Sequence, residues 1–389
     1  MSEHSKWSIF SPNCNFVKRS GLIPIFGLCI TVLICAGFRP KSDDKGKDIV
    51  LRLEPGLNNP RNSEGDFISL KDKRILFVYS HYTGDNGGDH SPAYLAGRFS
   101  NDGGKTWSPD DLKIIENEGT MNVMSVSLLR MKNDEIALFY LKKNSTTDCI
   151  PMVRFSKDEA KTWSDPIPCI SDKSGYFVLN NSRIIQLKNG RILMSVNLYK
   201  TPEGSLLNQG SLWSYYSDDN GKTWKSGIEI ENPNKFLTQE PGIVELKNGD
   251  IFMYIRSDIG FQCSSFSRDN GLTWWPVERS NIKSPVSPAS IKRIPSTGDL
   301  LMVWNNNGGE VPNIKGKRTP LTVAVSKDEG KTWQKIKNIE VDPDGWYCYI
   351  AIHFTKKEVL LGYCAGNRSK GTGLAVTQIT KISLNWIYR

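Results

Sequence analysis

FSNDGGKTW, at residues 99–107, is the first of five copies of one motif. The copies share the frame Ser-x-Asp-x-Gly-x-x-Trp, although the second has Ala160 in place of the glycine. Successive copies of this motif, which we call the Asp box, lie 50 to 61 residues apart. A regular period of this length predicts one small sheet per repeat. The other copies are FSKDEAKTW (155–163), YSDDNGKTW (216–224), FSRDNGLTW (266–274) and VSKDEGKTW (325–333).

The Asp box has the composition of a hairpin turn. Its Asp side chain can accept hydrogen bonds from backbone N–H groups of the turn, and its Gly adopts the positive φ that closes it. The Trp and the apolar residue before the Ser then cover the turn. We therefore interpret the box as structural. The alternative is calcium binding at DDNG, residues 218–221, but the spacing and the terminal Glu of an EF-hand loop are absent, so no metal site is predicted.

A second pattern precedes each box: an apolar run, a turn and another apolar run. Asn-Gly and Asp-Glu tips between β-rich runs predict two-residue hairpin turns. Each period then contains four antiparallel strands, two in this hairpin and two more closed by the Asp box. The six predicted hairpins cover residues 67–80, 126–141, 183–196, 242–257, 290–304 and 350–364.

Six hairpins accompany five boxes because the sixth box, in TQITKISLNW (377–386), is degenerate. The sequence predicts an all-β fold over residues 49–389: a six-bladed β-propeller of four-stranded antiparallel blades with Asp-box turns. A β-helix has much shorter repeats, and tandem sandwiches would not share turn motifs.

The N-terminus resembles an export signal. Residues 1–40 contain Lys6, Lys18 and Arg19, followed by an apolar run at 21–38, so they are predicted to be a signal peptide or an uncleaved membrane anchor. Residues 41–48 are predicted to be a polar linker. We therefore expect a monomer that is secreted, periplasmic or membrane-anchored and facing outward.

The composition excludes several function classes. The net charge is +9, but Lys and Arg are scattered and no nucleic-acid motif is present, so nucleic acid is not a predicted partner. Five of the eight cysteines follow the export segment, and an odd number argues against a disulfide framework. Cys149 with Cys169 is the one pair to test. The sequence has four His and no group of His and Cys with the spacing of metal ligands, so no cofactor is predicted.

The ends of the innermost strands point to the site. In a propeller the first strand of each blade lines the central channel. Counting seven residues back from the Lys at each hairpin tip reaches the residue of that strand at the mouth of the channel. The count gives the polar residues Glu64, Ser125, Asn181 and Glu240, and in the last two blades it falls near Pro288 and Cys348. Such residues either bind a ligand or form hydrogen bonds with one another around a water-filled channel.

The stretch YSHYTGDNGGDHSPAYLAGRFS, residues 79–100, contains a long Gly-rich loop. Long loops in compact repeats are usually functional or mobile. A loop carboxylate beside aromatic rings can keep a raised pKa and act as a general acid. The candidates in and around this loop are His81, Tyr82, Asp85, Asp89, His90 and Tyr94.

Taken together, these motifs resemble the sialidase (neuraminidase) superfamily, glycoside hydrolases of six-bladed propeller fold. QEPGIVELKNGDIFMYIRS is similar to its fourth blade, which implies that Glu240 partners a catalytic tyrosine and Arg256 binds the substrate carboxylate. KRTPLTVAVSKDEGKTW resembles its fifth blade and implies Arg318 as a second clamp arginine. GDHSPAYLAGRFS resembles the loop of the acid/base aspartate, at Asp89. WYCYIAIHF resembles the strand of the nucleophilic tyrosine, which is Tyr347 or Tyr349.

The first blade departs from the family pattern. Sialidases begin it with Arg-Ile-Pro, whereas this chain has NPRNSEGDFISLKDK, without Ile-Pro after Arg61 and with Glu64 at the channel mouth. Arg61 lies about two residues before the position of the family's first arginine, so the clamp is expected to be incomplete, with Arg61 as a third candidate. Glu64, His90 and Asn181 are the remaining substrate-binding candidates.

The resemblance implies an exported glycosidase that removes terminal sialic acid or a related acidic sugar from glycans. A carboxylate beside the anomeric carbon suits an arginine clamp and repels a carboxylate nucleophile, which favours a tyrosine. Two other functions remain open. One is a non-catalytic glycan-binding propeller, and the other is a polysaccharide lyase in which Tyr82 with His81 or His90 abstracts a proton from a uronate.

Overall fold

The computed structural model describes residues 46–389, apart from the side chains at positions 208 and 209. The predicted signal or anchor and residues 41–45 of the linker lie outside the described residues. The first strand begins at Lys47, so it includes the last two residues of the predicted linker. Within residues 46–389, no helix has the length and apolar character needed to cross a bilayer.

The regular secondary structure of residues 46–389 is almost entirely β-strand, as predicted; the helices there are a 3-10 turn, Pro312–Ile314, and the helix α1, Leu384–Tyr388. The strands are β1 (Lys47–Leu53), β2 (Asn62–Ser69), β3 (Ile75–Tyr82), β4 (Ala93–Ser100), β5 (Leu112–Ile115), β6 (Asn122–Arg130), β7 (Ile136–Lys143), β8 (Cys149–Ser156), β9 (Ile167–Pro168), β10 (Tyr176–Val178), β11 (Ile185–Gln186), β12 (Ile192–Lys200), β13 (Leu206–Ser217), β14 (Lys225–Ser226), β15 (Gln239–Glu245), β16 (Ile251–Arg256), β17 (Phe261–Ser267), β18 (Glu278–Lys283), β19 (Ser290–Arg293), β20 (Leu300–Trp304), β21 (Leu321–Ser326), β22 (Gln334–Glu340), β23 (Gly345–Phe354), β24 (Glu358–Asn367) and β25 (Thr377–Ser383).

The strands form repeated antiparallel sheets. Three four-stranded sheets have the orders β2-β3-β4-β5, β15-β16-β17-β18 and β19-β20-β21-β22. A fourth has the order β23-β24-β25-β1, so the first described strand completes the sheet of the last three. Strands β6 to β14 form one nine-stranded sheet, in which a parallel bridge between Cys149 and Tyr176 joins two antiparallel groups.

The apolar cores lie between neighbouring sheets. Phe67 and Phe77 of the β2–β5 sheet pack with Leu360 and Ile379 of the β23–β25 sheet. Neighbouring residues of the same strands, Ile68 and Leu76, pack instead against β6 to β8. The last sheet in the chain therefore packs against the first, which fixes the innermost strands of distant repeats around a common centre.

The five Asp boxes share one hydrogen-bond pattern. The Ser hydroxyl donates to the Asp carboxylate, with oxygen separations of 2.8–2.9 Å, and accepts from the backbone N–H at the Gly position. Ala160 has φ 64°, so it adopts the left-handed conformation that Gly has in the other four copies. The Asp side chains accept backbone N–H bonds within the turn, as predicted, and the box Trp residues are half-buried.

One local expectation, the length of the hairpin turns, needs correction. The Asn-Gly and Asp-Glu hairpin tips are three-residue loops: in one of them Gly190 N–H donates to the carbonyl of Leu187, Leu187 N–H donates to that of Arg191, and only Gly190 has positive φ. This is a turn followed by a left-handed residue, and the predicted two-residue turn would need two such residues. At the degenerate sixth box, Ser383 ends β25 and α1 follows.

Backbone bulges shape the central ends of several innermost strands. Register shifts in β2, β6, β15 and β23 accompany four non-glycine residues of positive φ. Such residues are uncommon and concentrate at functional sites. In the third hairpin the sequence count gives Asn181, whereas positive φ occurs at the next residue, Ser182 (58°). The four residues are Glu64 (57°), Ser125 (59°), Glu240 (46°) and Tyr349 (57°).

Candidate active site

A cleft of about 320 Å³ opens where these bulges meet. Its charged and polar lining includes all four bulge residues together with Arg256, Arg318, Asp89 and Lys143. Its apolar and aromatic lining includes Met124, Leu141, Val178, Leu374, Tyr176 and Tyr199. Residues from all five described sheets, or from loops that join their strands, therefore meet in one concave site, the usual form of a small-molecule site.

Tyr349 and Glu240 are in direct contact. The Tyr349 hydroxyl donates to Oε1 of Glu240 over 3.3 Å, and Nη1 of Arg256 donates to the same oxygen over 2.6 Å. Oε2 of Glu240 is buried and has no hydrogen-bond partner among the described residues. Burial, followed by the Glu240 charge, raises the pKa of Tyr349 well above its usual value. The tyrosine is therefore a neutral phenol beside a carboxylate that can accept its proton.

Two arginines flank this pair. The Arg318 guanidinium lies 5.5 Å from the Tyr349 ring centre and 5.6 Å from that of Trp346. Nη1 of Arg318 and Nε of Arg256 are buried and have no partner in the described part of the chain. Two guanidinium groups with unused donors in one cleft form a site suited to a carboxylate.

Asp89 lies at the edge of the cleft, with 59% of its side chain exposed. Oδ1 accepts a hydrogen bond from Nη1 of Arg61 at 2.5 Å. Burial raises the pKa of Asp89, but the charge and hydrogen bond of Arg61 outweigh this and hold the pKa below its ordinary value. The sequence predicts a raised pKa, and this prediction is wrong because the sequence does not reveal the arginine beside the loop.

Glu64 is the other carboxyl group on Arg61, at 2.7 Å from Nη2. It is buried, and its Oε2 also accepts a hydrogen bond from Ser125. Burial raises the pKa of Glu64, whereas the Arg61 charge opposes that shift. Gly65 follows Glu64 in the bulge, and a Cβ on Gly65 would lie 2.4 Å from Phe77, so the bulge needs glycine there.

The remaining sequence candidates lie elsewhere. Asn181 is buried behind the cleft, where its amide donates to the backbone carbonyls of Gly65 and Tyr349. His90 is exposed on the loop and is absent from the cleft lining. Tyr347 packs in a core with Tyr363, at 6.4 Å between ring centres, and also lies outside the cleft lining. Of the two candidate tyrosines, the structure places Tyr349 beside Glu240.

The residues of the lyase alternative are not arranged around the cleft. Tyr82 is fully buried, and its hydroxyl contacts Sδ of Met124 at 3.7 Å. His81 contacts Asp111 at 2.9 Å and stacks on Tyr94 with ring centres 4.5 Å apart. Neither side chain lines the cleft.

Sequence reasoning missed several lining residues, of which Lys143 is the most notable. Its side chain is fully buried, and Nζ donates to the backbone carbonyl of Asp89 over 2.6 Å. Lys143 ends β7 as Arg256 ends β16, so the two residues occupy equivalent positions in their hairpins. This equivalence is the signal by which the sequence could have indicated Lys143. Asn197 was also missed, and its side chain accepts the Glu240 backbone N–H.

No metal centre or disulfide belongs to the described site. Over residues 46–389, no group of three or more His, Cys, Asp or Glu is placed to hold a metal ion. Cys149 and Cys169, the pair to be tested, are both buried free thiols.

Comparisons with known proteins agree with this architecture. A family model described as a BNR repeat-like domain matches residues 116–359, and one for the BNR/Asp-box repeat matches residues 98–109. A sialidase of Clostridium perfringens is 27% identical over 326 residues, 72% of this chain and 81% of the relative. A sialidase of Bacteroides fragilis is 26% identical over 219 residues, which cover 53% of this chain but only 37% of that relative.

Solved structures extend the similarity to the fold. A structure described as a Hadza microbial sialidase superposes with a TM-score of 0.68 at 16% identity. The superposition covers 84% of this chain and 66% of that chain. At this identity the match shows a shared fold alone.

Proposed function

This chain belongs to the BNR repeat-like domain family of the sialidase superfamily, and from that premise we propose that it is a glycosidase that removes a terminal acidic sugar from glycans. The observation that carries the proposal is the contact between Tyr349 and Glu240, flanked by Arg256 and Arg318 in one cleft. A glycan-binding protein has no need of a tyrosine hydroxyl bonded to a carboxylate. Sialic acid or a related 2-keto sugar acid is the proposed substrate class.

The substrate carboxylate would bind to Arg256 and Arg318. Their two positive charges exceed the single charge of Glu240, so this part of the cleft is complementary to one anion. The clamp would hold the anomeric carbon near the Tyr349 hydroxyl. Such positioning converts attack by the tyrosine into an intramolecular step.

In the first step, Glu240 takes the phenol proton while the Tyr349 oxygen bonds to the anomeric carbon. The bond to the leaving oxygen breaks, and Asp89 protonates that oxygen. In the second step Asp89 takes a proton from water, whose oxygen attacks the anomeric carbon while the bond to Tyr349 breaks and Glu240 returns its proton to the Tyr349 oxygen. Because Arg61 holds the pKa of Asp89 below its ordinary value, protonation for the first step requires the bound anion and the exclusion of water to raise that pKa.

The finer architecture and the location are part of the proposal. Counting the nine-stranded sheet as two repeats gives six blades, consistent with the six hairpins and with the packing of the last sheet on the first. Export as a monomer, with the N-terminal segment as signal or anchor, rests on the sequence of residues 1–40 alone.

Hydrolysis assays test the proposal. Purified residues 40–389 would be assayed against glycosides of sialic acid, deaminated sialic acid, Kdo and uronic acids. We expect release of one 2-keto acid, and Tyr349→Phe should lower that rate by at least a thousandfold. Tyr347→Phe is the matched control, because it makes the same change two residues away and should leave the rate within about twofold. Equal rates for both variants, or an unsaturated product that absorbs in the ultraviolet, would contradict the proposal.

A further inference from the structure

Arg61 is bonded on both of its terminal nitrogens. Nη1 donates to Asp89 at 2.5 Å and to the carbonyl of Gly87 at 3.3 Å. Nη2 donates to Glu64 at 2.7 Å and to Ser63 at 3.2 Å. The side chain is 3% exposed, and its guanidinium lies 4.5 Å from the centre of the Tyr82 ring. A bidentate grip on a substrate carboxylate would require Arg61 to break one of these pairs.

The charges around Arg61 already balance. Glu64 and Asp89 carry two negative charges when ionised, and Arg61 with Lys143 supplies two positive charges. A substrate carboxylate placed on Arg61 would be a third anion in this group. The other end of the cleft differs, because Arg256 and Arg318 face the single carboxylate of Glu240 and retain one net positive charge. Charge complementarity therefore favours binding of the substrate anion at that end.

Asp89 is held at two points. Arg61 binds its carboxylate, whereas Lys143 and Asn122 donate to its backbone carbonyl at 2.6 and 3.0 Å. The loop before Asp89 contains Gly84, Gly87 and Gly88 and cannot fix a side chain by its own stiffness. A reacting group must be held closely by its neighbours, and these contacts supply that constraint.

The groups that face Asp89 come from several elements. Arg61 precedes β2, Lys143 ends β7, and His90 follows Asp89 on the loop; these three lower the pKa of Asp89. Glu64 is the second carboxyl on Arg61, and Tyr82 on β3 and Tyr176 on β10 are neutral phenols with strongly raised pKa values. Arg61 makes the largest favourable contribution to the ionised form.

We propose that Arg61 is a positioning residue for the carboxylate of Asp89 and is not part of the substrate clamp, which consists of Arg256 and Arg318. The inference rests on the proposed function, because it takes Asp89 as the group that exchanges a proton with the leaving oxygen. It differs from the sequence-based expectation that Arg61 is a third clamp arginine.

Kinetics of two substitutions separate the two roles. With a substrate whose leaving group is a sugar, kcat falls at high pH as Asp89 of the substrate complex loses its proton. Arg61→Gln removes a cation beside Asp89, so the pKa of Asp89 rises by about 1–3 units and this descending limb moves to higher pH. KM should stay within about threefold. Arg256→Lys should raise KM by more than tenfold, because a point charge does not replace a planar guanidinium. It should leave the pH of the descending limb unchanged.

The conservative variant keeps the test valid if Arg61→Gln does not fold. Arg61→Lys retains a cation next to Asp89, so its KM should remain within about threefold of the unaltered protein. A clamp arginine replaced by Lys would instead raise KM by more than tenfold. A rise in KM for Arg61→Lys as large as that for Arg256→Lys would overturn the inference.

A measurement independent of activity distinguishes failure of this inference from failure of the proposed function. In protein labelled with ¹³C at the Asp carboxyl carbons, Asp89→Asn identifies the Asp89 signal, and a pH titration gives its pKa. We expect Arg61→Gln to raise that pKa by one unit or more. An unchanged pKa would overturn the inference even in an active protein. A raised pKa in a protein that hydrolyses none of the tested glycosides would support the Arg61 contact and overturn the proposed function.

Discussion

The proposed mechanism predicts that Asp89→Asn and Glu240→Gln differ in how they depend on the leaving group. Asp89 would protonate the leaving oxygen, so its loss matters most for a sugar leaving group. A nitrophenyl leaving group departs as a stabilised anion and needs little protonation. Glu240 would instead activate Tyr349, a step that every leaving group requires.

The expected magnitudes follow from the chemical role of each carboxylate and from its contacts. General acid or base catalysis contributes roughly 10²–10⁴-fold, or about 3–5 kcal/mol in the barrier. Asp89→Asn should lose this factor on a sugar leaving group and less than about tenfold on a nitrophenyl glycoside. Glu240→Gln should lose it on both, because an amide cannot take the phenol proton. It also removes the charge-assisted bond to Arg256, which adds about 1.5–3 kcal/mol of lost stabilisation near the reacting atoms.

The assay is kcat/KM for each variant on a disaccharide-type substrate and on the matching nitrophenyl glycoside. Asp85→Asn is the control for Asp89→Asn, since it makes the same change at an exposed position on the same loop. Glu278→Gln, at an exposed position in β18, is the control for Glu240→Gln. Thermal unfolding confirms that each variant is folded, and Arg61 keeps its pair with Glu64 when Asp89 is replaced.

The ratio of the two rates decides the outcome. Equal losses for Asp89→Asn on both leaving groups would show that Asp89 is not the acid. Unchanged rates in both variants would show that the cleft chemistry is wrongly assigned. If no rate is measurable but an acidic glycan still binds, the chain is a binding propeller.

Three further predictions concern the clamp, the repeats and acid stability. Arg256→Lys should lower kcat/KM on a carboxylated substrate by more than tenfold, with Arg268→Lys on the exposed surface as control; equal rates would make Arg256 structural. Trp224→Ala should lower the free energy of unfolding by about 2–4 kcal/mol in denaturant titration, because Trp224 packs edge-on against Phe139 and bonds to Gly221; a loss below about 0.5 kcal/mol would contradict this. The melting temperature should fall as the pH drops from about 4 to 2, because box carboxylates with lowered folded pKa values stabilise the fold only above their unfolded pKa; a flat profile would refute it. Threonine hydroxyl and backbone N–H bonds lower the folded pKa to about 2 in Asp158 and Asp328.

The repeat by itself determined the class of fold. Ser and Asp in each box bond within their own turn, and apolar strands with polar tips form hairpins without help from distant residues. Such local chemistry repeats along the chain and is therefore visible as a pattern. The resemblance located Glu240, Arg256, Arg318 and Asp89, all of which line the cleft.

The tertiary structure decided what depends on residues distant in sequence. The choice of Tyr349 over Tyr347 follows from a bulge in β23, since one residue of register turns a side chain to the opposite face of a strand. The bond from Arg61 to Asp89 crosses a hairpin and reverses the expected pKa shift of that carboxyl. Lys143 belongs to the second repeat and reaches the loop of the first. The pairing of β1 with β25 joins strands more than 300 residues apart. None of these contacts has a local pattern in the sequence, because each depends on how the sheets are brought together around a common centre.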